Sequence, residues 1–350
     1  MQISPHAARV DFNWNPSYNG GMKGSIAAVV LAAGQSRRMR SSLSKVVHPL
    51  LGRPLILWLL DSLAAAGIPA ENTVLVCGEN LEEVRKAVSG RPVRFALQSP
   101  PLGTAHALLS AAGHVEDFSG ELLVTVGDNP WISGDELCRL RERHSRTAPA
   151  CTLLSALFPH RPPAYGRVIR TTQGDVQAVV EELDATPEQL RVHEVNSSIY
   201  LFDNPVVWPL LSEISNRNRK NEYYLTDIVE ILRGRGLRVQ ALCAQDYRVA
   251  LGINTRWELQ QAEREFNLRK LRHLATEGGV TIMDPGTTTV EFDAEIGEDT
   301  VLFPCTYIGS GTRIGRNCRI GPFSYLRDVI VPDGAVVVPA TSSKRGSRKG

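Results

Sequence analysis

Short apolar runs, separated by helix-like segments, dominate the first part of the chain. The runs occupy Ile26 to Leu31, Thr73 to Cys77, Val93 to Leu97 and Leu122 to Val126. Strands that alternate with helices predict an α/β fold with a doubly wound, mainly parallel sheet. Because ligands bind at the carboxyl ends of the strands in such sheets, the residues just after each run are candidates for a functional site.

The pattern of apolar residues changes after Cys151, where apolar and polar residues begin to alternate. Val168 to Arg170, Val176 to Glu181 and Val195 to Phe202 are predicted to be antiparallel strands joined by polar turns. We expect them to form a wall over the strand ends, suited to holding a second substrate. Apolar residues at helical spacing follow from Trp257 onward and predict a connecting helix.

A six-residue period marks the last part of the chain. Glycine follows several of the aliphatic residues in this period and permits tight corners. The pattern predicts a short left-handed β-helix of two or three coils, with the aliphatic side chains stacked inward. The repeated residues are Ile296, Leu302, Ile308, Ile314, Ile320 and Leu326, with Val290 and Pro332 extending the register.

These patterns predict five segments along the chain. They are a flexible extension (residues 1–24), an α/β domain (25–256), a linker helix (257–282), a short β-helix (283–340) and a basic disordered tail (341–350). The function of the first and last segments does not follow from the sequence.

Composition sets limits on the function. The formal net charge is +2, but four basic residues lie in the last ten, so the rest of the chain carries −2. A nucleic-acid partner is therefore not predicted. The six cysteines form no C-x-x-C pair, which favours reduced thiols in a cytoplasmic protein. No secretory signal and no membrane span is recognised.

The stretch after the first apolar run has the composition of an anion site. Small residues leave backbone amides accessible, and arginine and lysine side chains follow closely. Such a turn suits a multiply charged anion, and a nucleoside triphosphate is the obvious candidate. The candidate nucleotide contacts are Leu31, Ala32, Ala33 and Gly34, and the candidate catalytic cations are Arg38 and Lys45.

This stretch resembles the signature of the sugar-nucleotidyltransferase superfamily, L-A-x-G-x-G-T-R-M followed by P-K. Ser36-Arg37 replaces the usual Gly-Thr, and Ser44 replaces the proline before the lysine. The resemblance implies a Rossmann-like nucleotidyltransferase domain. The same form of the signature occurs in relatives that transfer CMP or GMP, so the stretch alone leaves the substrate open.

A second segment, Gln98 to Ala107, resembles the superfamily motif Q-x-x-x-L-G-T-x-H-A. The Gln98 amide can donate to and accept from a base edge, as uracil requires. Gly103 would let the backbone approach the base, and Thr104 would direct a hydroxyl toward the sugar. His106, inside the following helix, is interpreted as a packed structural histidine rather than a general base.

Two oxygen-bearing residues at strand ends point to a metal. Asp128 lies in G-D-N-P, which resembles the superfamily motif G-D-x-P, and Asn254 lies in L-G-I-N, which resembles L-G-V-N. A carboxylate and an amide oxygen beside a phosphate site suit Mg²⁺. Each residue alone could be a turn or cap residue, but the pair favours the metal.

The predicted wall carries the most discriminating resemblance. Its segments Y-G-R, V-E-E, D-A-T, E-V-N and E-Y-Y-L-T-D resemble those of the bacterial N-acetylglucosamine-1-phosphate uridylyltransferase, which is usually fused to a glucosamine-1-phosphate acetyltransferase. That resemblance implies that Gly166, Glu181 and Asn196 bind the sugar. Leu183 and Ser197-Ser198 depart from the family pattern near the sugar, so they leave its identity open.

The sequence thus predicts an Mg²⁺-dependent enzyme that makes UDP-N-acetylglucosamine and pyrophosphate from UTP and N-acetylglucosamine 1-phosphate. Acetyltransferase activity is expected to be absent because the family's β-helix is much longer. One alternative keeps the chemistry but changes the sugar 1-phosphate or the nucleotide. Another is a catalytically weak regulatory or scaffold protein. Assembly into homotrimers through the β-helix stays open.

Overall fold

A computed structural model of the chain describes residues 25–34 and 36–338. The predicted flexible extension (residues 1–24) and basic tail (residues 341–350) lie outside the described residues. The described residues divide into two compact units, one of residues 25–48 and 54–256 and the other of residues 49–53 and 257–338.

The first eleven strands in chain order are β1 (Ile26–Leu31), β2 (Pro49–Leu50), β3 (Arg53–Pro54), β4 (Thr73–Cys77), β5 (Arg94–Leu97), β6 (Glu121–Val126), β7 (Cys151–Leu157), β8 (Arg167–Arg170), β9 (Val176–Val180), β10 (Glu194–Asp203) and β11 (Val239–Cys243). Two-residue strands follow: β12 (Thr281–Ile282), β13 (Thr289–Val290), β14 (Glu295–Ile296), β15 (Val301–Leu302), β16 (Tyr307–Ile308), β17 (Arg313–Ile314), β18 (Arg319–Ile320), β19 (Tyr325–Leu326), β20 (Ile330–Val331) and β21 (Val336–Val337). The helices are α1 (Leu55–Ala65), α2 (Leu81–Ala87), α3 (Thr104–Leu109), α4 (Ala112–Val115), α5 (Gly134–Thr147), α6 (Asn204–Leu211), α7 (Ile228–Gly234) and α8 (Arg256–Thr276). No helix within residues 25–34 and 36–338 has both the length and the apolar character needed to cross a bilayer.

The first unit contains one large sheet. Its strands lie in the order β11-β7-β10-β6-β1-β4-β5, and β8 and β9 join it through β10. Strand β1 pairs in parallel with β4 and β6, whereas β10 pairs antiparallel with β6 and β7. The predicted mainly parallel sheet is therefore confirmed.

Strand β1 is buried on both faces, as its unbroken apolar run predicts. Ala28 and Val30 belong to one hydrophobic core, which includes side chains from α1, α2 and α5. Ala27 and Val29 belong to the other core, which includes side chains from α3, α6 and α7. Helices therefore cover both faces of the sheet, which leaves the ends of the strands as the accessible edge.

Two features of the helices were not predicted. The helix that contains His106 ends at Leu109, and a separate short helix begins at Ala112. No element was predicted for residues 134–147, where α5 begins after Ser133, whose hydroxyl accepts a hydrogen bond from the Glu136 N–H at 3.1 Å. Helix α5 is mostly polar, with a single buried side, so its short apolar stripe gives a weak signal.

The second unit contains the predicted β-helix. Three faces are formed by parallel pairing of β12-β15-β18-β21, β13-β16-β19 and β14-β17-β20. The repeat begins with β12 at Thr281, so the linker helix, which ends at Thr276, is shorter than the predicted segment of residues 257–282. Pro332 does not extend the register, because Val331 pairs with Ile314 and is buried.

Helix α8 covers the first coil with polar as well as apolar side chains. Leu271 and Leu274 join the core of the β-helix. The Asn267 amide bonds the backbone of the first coil on both sides, donating to the Thr288 carbonyl at 2.8 Å and accepting from the Val290 N–H at 3.0 Å. These contacts satisfy backbone groups at the first coil that have no preceding coil to pair with.

Candidate functional site

A cleft of about 480 Å³ opens at the carboxyl ends of β1, β5 and β6. We call it the strand-end cleft. Most of the predicted nucleotide, catalytic and metal residues line it, as the topology of a parallel sheet requires. These lining residues are Leu31, Ala32, Ala33, Gly34, Arg38, Lys45, Gln98, Gly103, Thr104, Asp128 and Asn254.

The turn after β1 places unused backbone donors beside the cleft. The Ala32 N–H donates to the Val76 carbonyl at 2.8 Å and extends the sheet by one residue. The N–H groups of Ala33 and Gly34, in contrast, donate to no other residue in the described part of the chain. Adjacent free amides of this kind form a site for phosphate oxygens.

Ser36 holds the turn against the lysine that follows. Its backbone is left-handed, with φ of 48°, a conformation that glycine adopts more readily. Its hydroxyl accepts a hydrogen bond from the Lys45 N–H at 2.8 Å. The serine therefore takes the place of the glycine in the superfamily signature with some backbone strain, and it adds a contact that glycine lacks.

Lys45 lies between two oxygen atoms. Its ammonium group forms an ion pair with the Asp128 carboxylate and lies 3.0 Å from Oδ1 of Asn254. The side chains are largely buried, with 18% of Lys45 and 10% of Asp128 exposed. A cation and a carboxylate in so dry a setting interact more strongly than they would on the surface.

The two predicted metal ligands are held together by the backbone. The Ile253 N–H donates to the Asp128 carbonyl at 3.0 Å, and the Asn254 amide nitrogen donates to the Gly252 carbonyl at 3.0 Å. With its nitrogen held in this way, the amide oxygen of Asn254 faces Lys45. A Cβ at Gly252 would lie 3.2 Å from the Asp128 carboxylate oxygens, so glycine permits this close packing.

This donor set fits Mg²⁺. The ion prefers hard oxygen ligands and takes one or two from protein, the rest from water and phosphate. Asp128 and Asn254 supply two such oxygens, both already directed at the same positive charge. Nowhere among the described residues do three or more His, Cys, Asp or Glu side chains cluster as metal ligands.

The Gly103 segment is fixed by a distant loop. A Cβ at Gly103, whose φ is 121°, would stand 2.5 Å from the Tyr223 carbonyl oxygen. Hydrogen bonds join this loop to both sides of Gly103, from the Tyr223 N–H to the Leu102 carbonyl and from the Ala105 N–H to the Tyr223 carbonyl. Gly103 is therefore required for packing against Tyr223, which the sequence did not predict.

Thr104 and Gln98 line the strand-end cleft, and each also makes a hydrogen bond within the protein. The Thr104 hydroxyl accepts a hydrogen bond from the Leu225 N–H at 2.9 Å, which leaves only the O–H hydrogen for a ligand in the cleft that Thr104 lines. Gln98 differs from expectation, since its amide nitrogen already donates to the Gly103 carbonyl at 2.9 Å and lies 3.1 Å from Nδ1 of His106.

The three predicted sugar-binding residues lie together at the antiparallel wall (β8, β9 and β10) but do not line the strand-end cleft: Gly166 directly precedes β8, Glu181 directly follows β9, and Asn196 lies in β10. The Asn196 N–H donates to the Gly166 carbonyl at 2.9 Å. A Cβ at Gly166 would lie 3.3 Å from Oε1 of Glu181, and the Thr226 hydroxyl donates to the same oxygen at 3.3 Å. Burial raises the pKa of Glu181, because the buried surroundings disfavour its charged form.

Asn196 is engaged at both ends of its amide. Its nitrogen donates to the Tyr200 hydroxyl at 2.6 Å, and its oxygen accepts from the Ser198 N–H at 3.2 Å. Ser198 has a left-handed φ of 60°, where the related family has glycine. The backbone at Ser198 therefore keeps a conformation that suits the family's glycine. Leu183, the other departure from the family pattern, is about half exposed.

The predicted site residues did not include Arg37, Glu222 or Asn80. Arg37 and Glu222 line the strand-end cleft beside the predicted set. Asn80 connects three parts of the site: its amide nitrogen donates to the Ala32 carbonyl and the Ser44 hydroxyl, each at 2.9 Å, and its oxygen accepts from the Gly78 N–H. Because Asn80 follows β4, the rule that placed the other residues at strand ends could have found it.

The balance of charge in the cleft favours an anion at one end. Arg37 and Arg38 are exposed, and neither forms an ion pair with any acid in the part of the chain that the structure describes. Both follow the turn that carries the free amides. Cations and amides together are the groups that bind phosphates.

Comparison with known proteins identifies the two domains of the chain. A model of the MobA-like NTP transferase domain matches residues 28–190, and a model of the bacterial transferase hexapeptide, six repeats, matches residues 293–328. The chain therefore combines a nucleotidyltransferase domain with a hexapeptide-repeat domain, as the sequence predicted.

The relatives are more specific. The chain is 42% identical to the bifunctional protein GlmU of Caldicellulosiruptor saccharolyticus over 89% of its own length and 70% of the relative. It is 43% identical to that of Thermus thermophilus over 90% of the chain and 68% of the relative. It is 39% identical to the bifunctional protein GlmU of Geobacillus thermodenitrificans over 86% of the chain and 64% of the relative. The chain belongs to the GlmU family, and it spans about two thirds of the length of these relatives.

Proposed function

We propose that this chain transfers a uridylyl group from UTP to N-acetylglucosamine 1-phosphate, giving UDP-N-acetylglucosamine and pyrophosphate. The observation that carries the proposal is the position of Lys45, between the Asp128 carboxylate and the Asn254 amide oxygen, beside a turn with free amides. Membership of the GlmU family and the nucleotidyltransferase domain support the same class of reaction.

The chemistry needs positioning and charge more than a covalent nucleophile. A phosphate oxygen of the sugar 1-phosphate attacks the α-phosphorus of UTP. The new bond joins that oxygen to the α-phosphorus, and the bond from the α-phosphorus to the bridging oxygen breaks, which releases pyrophosphate. Both phosphate groups are anionic throughout, so the task of the site is to reduce their repulsion.

The residues of the strand-end cleft take separate parts in this step. The amides of Ala33 and Gly34 bind phosphate oxygens, and Arg38 and Lys45 stabilise the charge that develops in the transition state. Asp128 and Asn254 would hold Mg²⁺, which neutralises phosphate charge when it is bound. On the antiparallel wall, Gly166, Glu181 and Asn196 are the proposed sugar contacts.

A different sugar 1-phosphate or nucleotide is the second candidate. Leu183, half exposed where the related family has lysine, favours it on the sugar side, and Arg37 in the cleft favours it on the phosphate side. The predicted lack of acetyl transfer stays a prediction, which thiol release from acetyl-CoA in the presence of glucosamine 1-phosphate would check.

The test is a panel of nucleoside triphosphates and sugar 1-phosphates, assayed for pyrophosphate with Mg²⁺ present. The proposal requires the highest kcat/KM for UTP with N-acetylglucosamine 1-phosphate. A higher value for another pair would select the second candidate. Turnover at background for every pair would overturn the enzymatic function and favour a scaffold role.

A further inference from the structure

Gln98 lies under the strand-end cleft with its side-chain amide in a defined orientation. The residue is 5% exposed and lines the cleft. Its Nε2 donates to the Gly103 carbonyl at 2.9 Å and lies 3.1 Å from Nδ1 of His106. Both neighbours therefore contact the nitrogen of the amide.

The chemistry of the two neighbours fixes which amide atom faces each. A carbonyl oxygen can only accept, so the atom opposite the Gly103 carbonyl must be the nitrogen. That carbonyl is itself held in place, because the Ala107 N–H donates to it at 3.0 Å in the first turn of α3. The second amide hydrogen then points to Nδ1 of His106, which accepts it, so the ring proton lies on Nε2.

With both hydrogens used, the Gln98 side chain can offer a ligand only its carbonyl oxygen. A base that binds there must present an N–H at that position. Uracil presents its N3–H, whereas cytosine presents an unprotonated N3 with a lone pair at the equivalent place. The sequence suggested that the amide both donates and accepts, and the structure leaves only acceptance.

We infer that His106 is a positioning residue: by accepting from Gln98, it holds the amide oxygen toward the base and so selects nucleotides that carry an N–H there. The inference rests on the proposed function and deepens it. The discrimination against a base lacking the N–H can be large, because a buried acceptor would then lose its partner.

The test compares nucleotide binding and turnover in three variants. His106→Leu removes the acceptor and keeps an apolar side chain, and His106→Asn supplies an amide oxygen close to the position of Nδ1. We expect His106→Leu to raise the Kd and KM for UTP about tenfold, the worth of one hydrogen bond, with kcat within about twofold. The ratio of the Kd for CTP to that for UTP should fall, and His106→Asn should restore it.

His114→Leu is the matched control. His114 lies on α4 and does not line the strand-end cleft, so this variant should bind UTP and CTP as the unaltered protein does. Because His106 is partly buried and His114 is exposed, thermal denaturation of both leucine variants separates a loss of stability from a loss of nucleotide discrimination.

A ligand-side measurement gives the same information without a substitution. N3-methyl-UTP lacks the N3–H, and the unaltered protein should bind it at least about tenfold more weakly than UTP. Equal binding of the two nucleotides, or an unchanged CTP to UTP ratio in a folded His106→Leu, would overturn the inference. Because these are binding constants, they are obtained even if the turnover assay contradicts the proposed function.

Discussion

Replacing Lys45 with alanine should have two opposite effects at one site. The Lys45 ammonium group contacts both proposed metal ligands, the Asp128 carboxylate and Oδ1 of Asn254. In the proposed reaction it also stabilises phosphate charge. The substitution should therefore lower turnover and, at the same time, free two oxygens that a divalent cation must share with the lysine in the unaltered protein.

The magnitudes follow from the contacts. Removing one charged donor aimed at a transition state costs about a hundredfold to a thousandfold in kcat. Two unit charges about 4 Å apart interact by roughly 4 kcal/mol at an effective dielectric constant near 20, and solvation of the freed carboxylate offsets most of it. A gain of roughly 1.4 kcal/mol, or about tenfold, in affinity for Mn²⁺ is then expected in the absence of nucleotide.

The assays are pyrophosphate release for kcat and titration with Mn²⁺ for the metal. The matched control is Lys86→Ala, which removes an exposed lysine from α2 and should change neither quantity. If Lys45→Ala released pyrophosphate at the rate of the unaltered protein, the reasoning would be refuted. Weaker Mn²⁺ binding in the variant would separately refute the assignment of Asp128 and Asn254 as ligands.

Three further predictions test other parts of the molecule. Gly103→Ala should lower the free energy of unfolding by roughly 2 kcal/mol more than Gly90→Ala. Both glycines have positive φ, but a Cβ at Gly103 would stand 2.5 Å from the Tyr223 carbonyl oxygen, whereas one at Gly90 would meet nothing within 4 Å. Equal midpoints in thermal denaturation would contradict this. Burial lowers the pKa of Lys270 from 10.5 to about 8. Between pH 8 and pH 10.5 the unfolded chain therefore binds more protons than the folded one, so the free energy of unfolding should rise with pH by up to about 3 kcal/mol. Lys270→Met should abolish this rise. Glu181→Gln should raise the KM for the sugar 1-phosphate at least about tenfold and leave the KM for the nucleotide unchanged, and a change in the nucleotide KM alone would remove Glu181 from the sugar site.

The location of the site could be predicted from the sequence because it depends on local patterns and one rule of topology. Gly34, Gln98 and Asp128 each follow a predicted strand that the structure contains, and all three line the strand-end cleft. Asn254 lines it too, but the strand expected before it is wrong: the chain forms a short 3-10 turn there, Tyr247–Ala250. No contact between distant residues had to be known. The rule needs only the order of apolar runs and the residue after each.

The roles that the sequence could not predict depend on partners far along the chain. Thr104 engages a backbone group 121 residues later, and Gly103 packs against the same distant loop. Ser36 depends instead on its own backbone. Its left-handed φ explains why the superfamily signature has glycine at this position, but the sequence does not give that angle. The orientation of the Gln98 amide likewise depends on the Gly103 carbonyl and the His106 ring. The motif shows that these groups are near Gln98 in the sequence but not how they are oriented.

The β-helix was predicted with one error of register. Ile330, Val331 and Pro332 are three consecutive apolar residues, so a six-residue period continued from Leu326 selects Pro332 without conflict. The structure pairs Val331 with Ile314, because the hexad after Leu326 is one residue shorter. A repeat inferred from side-chain type alone does not reveal such a deletion where the neighbouring residues are all apolar.

The central claim is that the strand-end cleft directs one sugar phosphate oxygen to the α-phosphorus of UTP. It is tested most directly with N-acetylglucosamine 1-phosphate labelled with ¹⁸O in its phosphate group, followed by mass spectrometry of the products. If the phosphate oxygen attacks in this way, UDP-N-acetylglucosamine retains all of the label and pyrophosphate carries none. Label in the pyrophosphate, or no labelled UDP-sugar with Mg²⁺ and UTP present, would contradict it.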